Sequence, residues 1–327
     1  FRGKFHVNDI QLPESNGDWD TYLQDRRFSR DFDRFEDADV IILNGEGTMH
    51  EWEDKNFMPE PYMLLMEIYA AIKLFNKPVM VLNQSVYYHG DDFGDWVTRA
   101  YQNCNFISVR EPKSLRRLQA LGLMQTKLIP DSAFLTGSVS KDKATAFLAQ
   151  RGVKEGYIGL FLGETVARVD IEKIIDLIER IKVHYAQKKV VVFAAPYPDP
   201  DVAKKLKSKT DVTVIGMEAY PEMMVGVLKL ASMVLSGRYH PCIFTVLAGV
   251  PLITFRSSTD KNEGLIELLN YPIAETIFED ISNENIINMM NWASDNRAQL
   301  DECLQKNVPP LVATTLDGYP NILSSSE

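Results

Sequence analysis

Short runs of consecutive apolar residues alternate with longer stretches of helical period along this chain. The runs fall at 39–43 (DVIIL), 78–82 (PVMVL), 106–109 (FISV) and 127–129 (KLI), and again at 157–162, 189–195, 212–215, 233–236 and 251–255. Between them the spacing predicts helices over 59–75, 91–103 and 112–121, then over 170–187, 220–230, 241–248 and 262–269. A last helix is predicted over 284–306, before a tail that opens with Pro309-Pro310. Strands that lack alternation are buried on both faces, and the helices between them cover those faces, so the pattern predicts parallel sheets in α/β layers. Thr136-Gly137-Ser138-Val139-Ser140 is small and polar and reads as a connection between two such layers. The expected fold is α/β, two Rossmann-like domains facing a cleft, with a boundary that gives 1–137 and 138–327. The first domain is one βα unit short at its N-terminal side.

Composition narrows the function. The 327 residues are 45% hydrophobic, which rules out intrinsic disorder, and the net charge is −10, from 35 Lys and Arg against 45 Asp and Glu. A chain of that sign without a basic block does not favour nucleic acid, so an anionic ligand must be held by a local cluster of cations. Cys104, Cys242 and Cys303 are three, widely spaced and without a C-x-x-C pair. That excludes a cysteine zinc site and favours a reducing, cytoplasmic setting. The apolar stretch at 62–75 is interrupted by Glu67 and Lys73 and is too short to span a bilayer. His6, His50, His89, His184 and His240 show no ligand spacing, and no metal is expected.

In an open parallel sheet, ligands bind beyond the carboxyl ends of the strands. The polar residues that follow the predicted strands form a rim: Asn44-Gly45-Glu46-Gly47-Thr48, Asn83-Gln84-Ser85 with His89, Arg110, Asp131, Gly163-Glu164, Ser236-Gly237-Arg238-Tyr239-His240 and Arg256 to Lys261. Pro241 fits a first helical position, which places His240 at a helix N-terminus beside the positive fork of Arg238. Anion recognition by Arg238 with proton transfer by His240 follows; a capping histidine and a surface arginine are the plain alternative. Glu46, between two glycines, suits proton acceptance or contact with sugar hydroxyls, or a tight turn with a solvated carboxylate. Arg110 offers a second anion contact or an exposed ion pair. Asp131 is a base or nucleophile, or the cap of a turn. Lys261 and Glu263 open a helix and suit a phosphate and a hydroxyl, or are ordinary first-turn residues. A Gly-Lys-Ser/Thr loop, a G-x-S-x-G elbow and a G-x-G-x-x-G fingerprint are all missing, which weakens nucleotide-hydrolase, serine-hydrolase and dinucleotide readings.

Four segments in order, DVIILNGEGTMH (39–50), SVREPKSLRRLQALG (108–122), IPDSAF (129–134) and SGRYHPCIFTVLAGVPLITF (236–255), resemble the polysaccharide pyruvyl transferase family. The likeness runs over about 39–269, and S-G-R-x-H followed by A-G-x-P is its most specific part. The glycine- and Asp-bearing first βα turn usual in that family is not visible before Asp39. The resemblance implies a GT-B-like pair of domains, with the acceptor on the N-terminal side and the donor on the C-terminal side. It also implies transfer of the enolpyruvyl-derived unit of phosphoenolpyruvate to a sugar of a surface glycan or its precursor, as a pyruvate ketal, with no cofactor or metal. Arg238 and His240 carry over as donor-site residues, with Arg110 third and Lys261 beside them. His240, Glu46 and Asp131 are the catalytic candidates, while Asn44, Gln84, His89 and Glu263 are the acceptor-side candidates. Peripheral association with a lipid-linked glycan is compatible with this. Two alternatives stay open: a metal-independent GT-B glycosyltransferase using a nucleotide sugar such as CMP-Kdo, and a non-catalytic glycan-binding protein.

Overall fold

A computed structural model describes residues 17–23, 35–45, 49–50, 60–163, 171–194, 200–216 and 220–318. Contacts divide the chain into two units, one of residues 1–130 with 317–327 and the other of residues 131–316.

In the first unit a parallel sheet of order β1-β3-β5-β6 is built from Ile41–Asn44 (β1), Val79–Gln84 (β3), Phe106–Val109 (β5) and Lys127–Leu128 (β6). A parallel two-stranded ladder, Met49–His50 (β2) with Val86–Tyr87 (β4), extends beyond it and was not legible in the hydrophobic pattern. β3 is buried at every position, as expected of a central strand, whereas edge strand β1 leaves Ile42 48% exposed. The helices are Trp19–Leu23 (α1), Glu60–Lys73 (α2), Asp91–Tyr101 (α3) and Pro112–Ala120 (α4). Trp19 docks α1 in an aromatic cluster with Trp96 and Tyr69 at ring distances of 4.3 and 5.0 Å. Arg99 lies 4.5 Å over the Trp19 ring and donates to the Gly17 carbonyl, so one cation holds that short helix at two points. Pro112 opens α4 as expected, and Glu111 caps it by accepting the Ser114 N–H.

The second unit carries a five-stranded parallel sheet of order β11-β10-β7-β8-β9. Its strands are Tyr157–Phe161 (β7), Val190–Ala194 (β8), Thr213–Gly216 (β9), Ala231–Ser236 (β10) and Leu252–Thr254 (β11). Phe161 and Phe193 stack across β7 and β8 at 4.5 Å within its core. The helices are Lys141–Ala149 (α5), Ile171–His184 (α6), Pro200–Lys209 (α7), Pro221–Leu228 (α8), Tyr239–Leu247 (α9), Lys261–Leu268 (α10), Asn283–Asp295 (α11) and Arg297–Gly318 (α12).

Several differences from the sequence pattern have physical causes. α5 and α7 were not expected: each buries only a few residues, Ala144 and Leu148 in one and Ala203 and Leu206 in the other, which is too sparse for a readable stripe. α9 begins at Tyr239, so Pro241 is its third residue rather than its first. The single helix expected over 284–306 is two helices, broken at Asn296, and Pro309 and Pro310 lie inside α12 rather than in a tail. Burial of Leu304 and Val308 before the prolines and of Thr315 after them holds that helix together despite two missing N–H donors. Among the described residues no helix is long and apolar enough to cross a membrane.

Candidate functional site

In the second unit the site is assembled where β7 and β10 end. The two strands are paired neighbours, and their ends converge on two glycines. A Cβ at Gly163 would sit 2.8 Å from the Gly237 carbonyl oxygen, closer than real Cβ contacts allow, so this crossing needs a glycine. The Gly237 N–H donates to the Phe161 carbonyl at 3.3 Å. Ser236 then turns the chain: its hydroxyl accepts the Arg238 N–H at 3.1 Å and donates to the Arg238 carbonyl at 3.0 Å. Arg238 caps α9 from an extended conformation, and its Nε donates to the Leu162 carbonyl at 2.6 Å, which anchors the guanidinium at the end of β7.

His240 is the second residue of α9, with its side chain 46% exposed. Its Nε2 lies 3.7 Å from Oδ2 of Asp131, whose side chain is only 1% exposed. Asp131 serves two elements at once. Its Oδ1 accepts the Ala133 N–H at 2.8 Å and so caps the 3-10 turn Ser132–Leu135, while its other oxygen faces the imidazole. The capping role is therefore present, and the second oxygen is left facing His240. In the same helix Cys242 is fully buried, its Sγ donating to the Ser236 carbonyl, and burial pushes the thiol up to about 12; it fills space and is no nucleophile.

The first unit gathers its own polar group where β1, β3 and β5 end. A register shift in β3 after Val81 accompanies a turn of Asn83 into the left-handed region at φ 57, and its N–H donates to Ser108 Oγ. Gln84 is 0% exposed, and neither atom of its amide finds a hydrogen-bond partner among the described residues. It is pressed against Gly45, where a Cβ would meet Gln84 Cδ at 2.4 Å. Arg110, 1% exposed, donates from Nε to Ser85 Oγ at 2.8 Å, and its N–H donates to the Gln84 carbonyl. Buried strain and buried amides without partners concentrate at functional sites, so this strand end is the second candidate locus.

Of the residues singled out in sequence, the structure brings together Arg238, His240 and Asp131 in one unit, and Gln84 and Arg110 with Gly45 in the other. Asn44 is exposed at the end of β1, and His89 is exposed with its ring 4.8 Å from Tyr87. Lys261 and Glu263 open α10, half-buried and exposed. Glu46 and Glu164 lie outside the described residues. The left-handed turn at Asn83 and the Gly163–Gly237 crossing were not identified in sequence. The S-G-R segment held the signal for the glycine crossing, since a glycine directly after a buried strand marks close backbone approach.

The fold defines the class: an α/β protein built like the GT-B glycosyltransferases and the UDP-GlcNAc 2-epimerases. The UDP-GlcNAc 2-epimerase of Neisseria meningitidis superposes with a TM-score of 0.58 at 13% identity, over 97% of this chain and 84% of that one. A glycosyltransferase of Rickettsia africae gives 0.57 at 11%, over 97% and 85%, and the UDP-GlcNAc 2-epimerase of Methanocaldococcus jannaschii gives 0.53 at 15%, over 80% and 71%. At such identities the likeness is one of fold. The chain belongs to the polysaccharide pyruvyl transferase family, whose model matches residues 1–259, and it is a transferase. No curated protein matches it. The match ends after Thr259, so Lys261, Glu263 and the helices α10 to α12 lie beyond it.

Proposed function

We propose that this chain transfers the enolpyruvyl-derived group of phosphoenolpyruvate to a sugar of a glycan or its precursor, closing a pyruvate ketal and releasing phosphate. The observation that carries this is the Arg238–His240–Asp131 arrangement at the ends of β7 and β10, in a chain of this family. Arg238, braced by the Leu162 carbonyl, binds the donor's carboxylate or phosphate with Lys261 as a further contact, while Arg110, 1% exposed and bonded to Ser85, positions the end of β3. His240 protonates the methylene carbon, which becomes the methyl group, and Asp131 supports the charge on the ring and fixes its direction. One sugar hydroxyl adds to C2 and a second displaces phosphate there, which takes the C–O electron pair. Of the two hydroxyl protons, one offsets the proton on the methyl group and the other leaves with phosphate. Glu46, after β1, is assigned the acceptor proton. Asn44, His89 and Glu263 are assigned to the acceptor, and Gln84, being fully buried, acts through the Gly45 backbone.

A kinetic split tests this. Arg238→Ala is expected to raise KM for phosphoenolpyruvate at least tenfold with a smaller change in kcat, and His240→Ala to lower kcat by about 10²–10⁴ with KM nearly unchanged. Absence of phosphoenolpyruvate binding by the unaltered protein in calorimetry overturns the proposal. A second reading, transfer from a nucleotide sugar, draws on the glycosyltransferase-like fold of the neighbours. Saturable binding of CMP or UDP without phosphoenolpyruvate binding would put it first.

A further inference from the structure

The strands of the second sheet have another edge, where they begin. There a cavity of 160 Å³ is lined by residues including Tyr185, Lys188, Ser232, Pro251, Ser294 and Arg297. Ser232 is near the start of β10, Pro251 directly precedes β11 and Lys188 precedes β8. The cavity therefore opens at the end of the sheet opposite Ser236, Arg238 and His240, and the function proposed above assigns it no role.

Two cations share this space. Arg297 is held rigidly: Nε donates to Asp301 Oδ1 at 2.7 Å, Nη1 to the Ser232 carbonyl at 3.2 Å and Nη2 to the Gly249 carbonyl at 3.3 Å. Lys188 has no carboxylate partner among the described residues. Burial first, and the charge of Arg297 second, hold its ammonium below the usual lysine range. Of the acidic groups nearby, Asp301 pairs with Arg297, and Asp295 lies close enough to raise the hydroxyl of Tyr185, which donates to Asn291 Oδ1; neither carboxylate is within ion-pair distance of Lys188. Arg297 has its carboxylate in Asp301, whereas Lys188 lines the same void half-buried with none, so an anion in the cavity would supply the partner that Lys188 lacks.

We propose that this cavity is a binding site for the phosphate or carboxylate group of a small metabolite, held by Lys188 and Arg297. The volume suits such a headgroup. Arg297 also walls a second cavity of 320 Å³, where Val246, Leu304 and Val308 leave room for the organic remainder of the ligand. Because Arg297 ties the first turn of α12 to β10 and to the turn before β11, an occupant stabilises that junction.

The test uses the full chain carrying Arg238→Ala, so that the donor site does not contribute, with inorganic phosphate and pyruvate as probes in separate calorimetric titrations. Saturable binding is expected of at least one probe, weakened tenfold or more by Lys188→Gln and restored by Lys188→Arg. The better of the two probes identifies the headgroup. The bound probe is also expected to protect Lys188 from acetic anhydride at least fivefold, read by peptide mass spectrometry. Unchanged binding in Lys188→Gln, no binding of either probe, or acylation of Lys188 that the probe does not slow overturns the proposal. Lys188→Gln with Arg238 intact is expected to retain phosphoenolpyruvate binding, so failure here is distinguishable from failure of the transferase reading.

Discussion

At the residue scale the arrangement turns on side chains that do two jobs. Asp131 caps a turn with one oxygen and faces His240 with the other, and the two roles separate by substitution. Asp131→Asn keeps a cap acceptor but loses the charge, so stability should be retained while kcat falls tenfold or more. Asp131→Ala should in addition cost about 1 kcal/mol of stability. Denaturant unfolding and steady-state kinetics on both variants check this; a kcat unchanged by Asp131→Asn would remove the charge from the mechanism. Gly163→Ala forces a Cβ onto the Gly237 carbonyl and should displace Arg238. Donor affinity is expected to drop at least tenfold in a calorimetric titration of a protein whose circular dichroism is unchanged. Arg238 and His240 stood out as candidates because they follow the buried strand β10, and Asp131 because it follows the edge strand β6, at the ends of strands where ligands bind in such sheets. The backbone of Asn83 was not, because its left-handed conformation accompanies a register shift against β5 that involves no local turn signal. The burial of Gln84 was equally hidden, since it depends on Gly45, far earlier in the chain.

At the scale of elements, strands read well and helices less so. Buried runs such as 190–194 and 233–236 declare themselves by composition, whereas α5 and α7 bury too few residues to do so. α11 shows how a helix is attached by polar contacts as well as by its apolar stripe. Asn283 Nδ2 donates to the Lys173 carbonyl and to Asp176 Oδ2, both at 2.8 Å, while Arg180 pairs with the same carboxylate from one turn along α6. The Asn283 hydrogen bond first and Arg180 next hold the Asp176 carboxyl below its ordinary value. Such a lowered carboxyl contributes stability above the unfolded carboxylate range, about 3.9, and loses it as pH falls through the lower folded value. Asn283→Ala should cost about 1–2 kcal/mol near neutrality. The gap in Tm between it and the unaltered protein should narrow below about pH 4, as measured by scanning calorimetry from about pH 7 down to about pH 3. A gap that stays constant across that range would detach Asp176 from the effect.

For the whole molecule, the family match stops at 259 while the second core does not. Ile286 and Met290 of α11 and Leu300 and Leu304 of α12 belong to the same buried cluster as the strands β7 to β11. A chain ending at 259 should therefore lose cooperative unfolding of the second unit, seen as the loss of one calorimetric transition, although every family motif would still be present. A sharp transition in that truncated chain would show that α10 to α12 are appendages. With a net charge of −10 the field of the molecule would not attract the anionic donor proposed above, so on that proposal its affinity rests on the few local cations.

The polypeptide enters the second unit at Asp131 and returns to the first at Asp317, within the last turn of α12. Gly318 closes against Ile129, on the far side of that whole excursion in sequence, so tightly that a Cβ there would meet its side chain at 2.7 Å. During synthesis, the first unit emerges from the ribosome with this seam open. It can be closed only after the whole second unit has been translated, so the order of assembly is written into the connectivity, and the last helix acts as the latch.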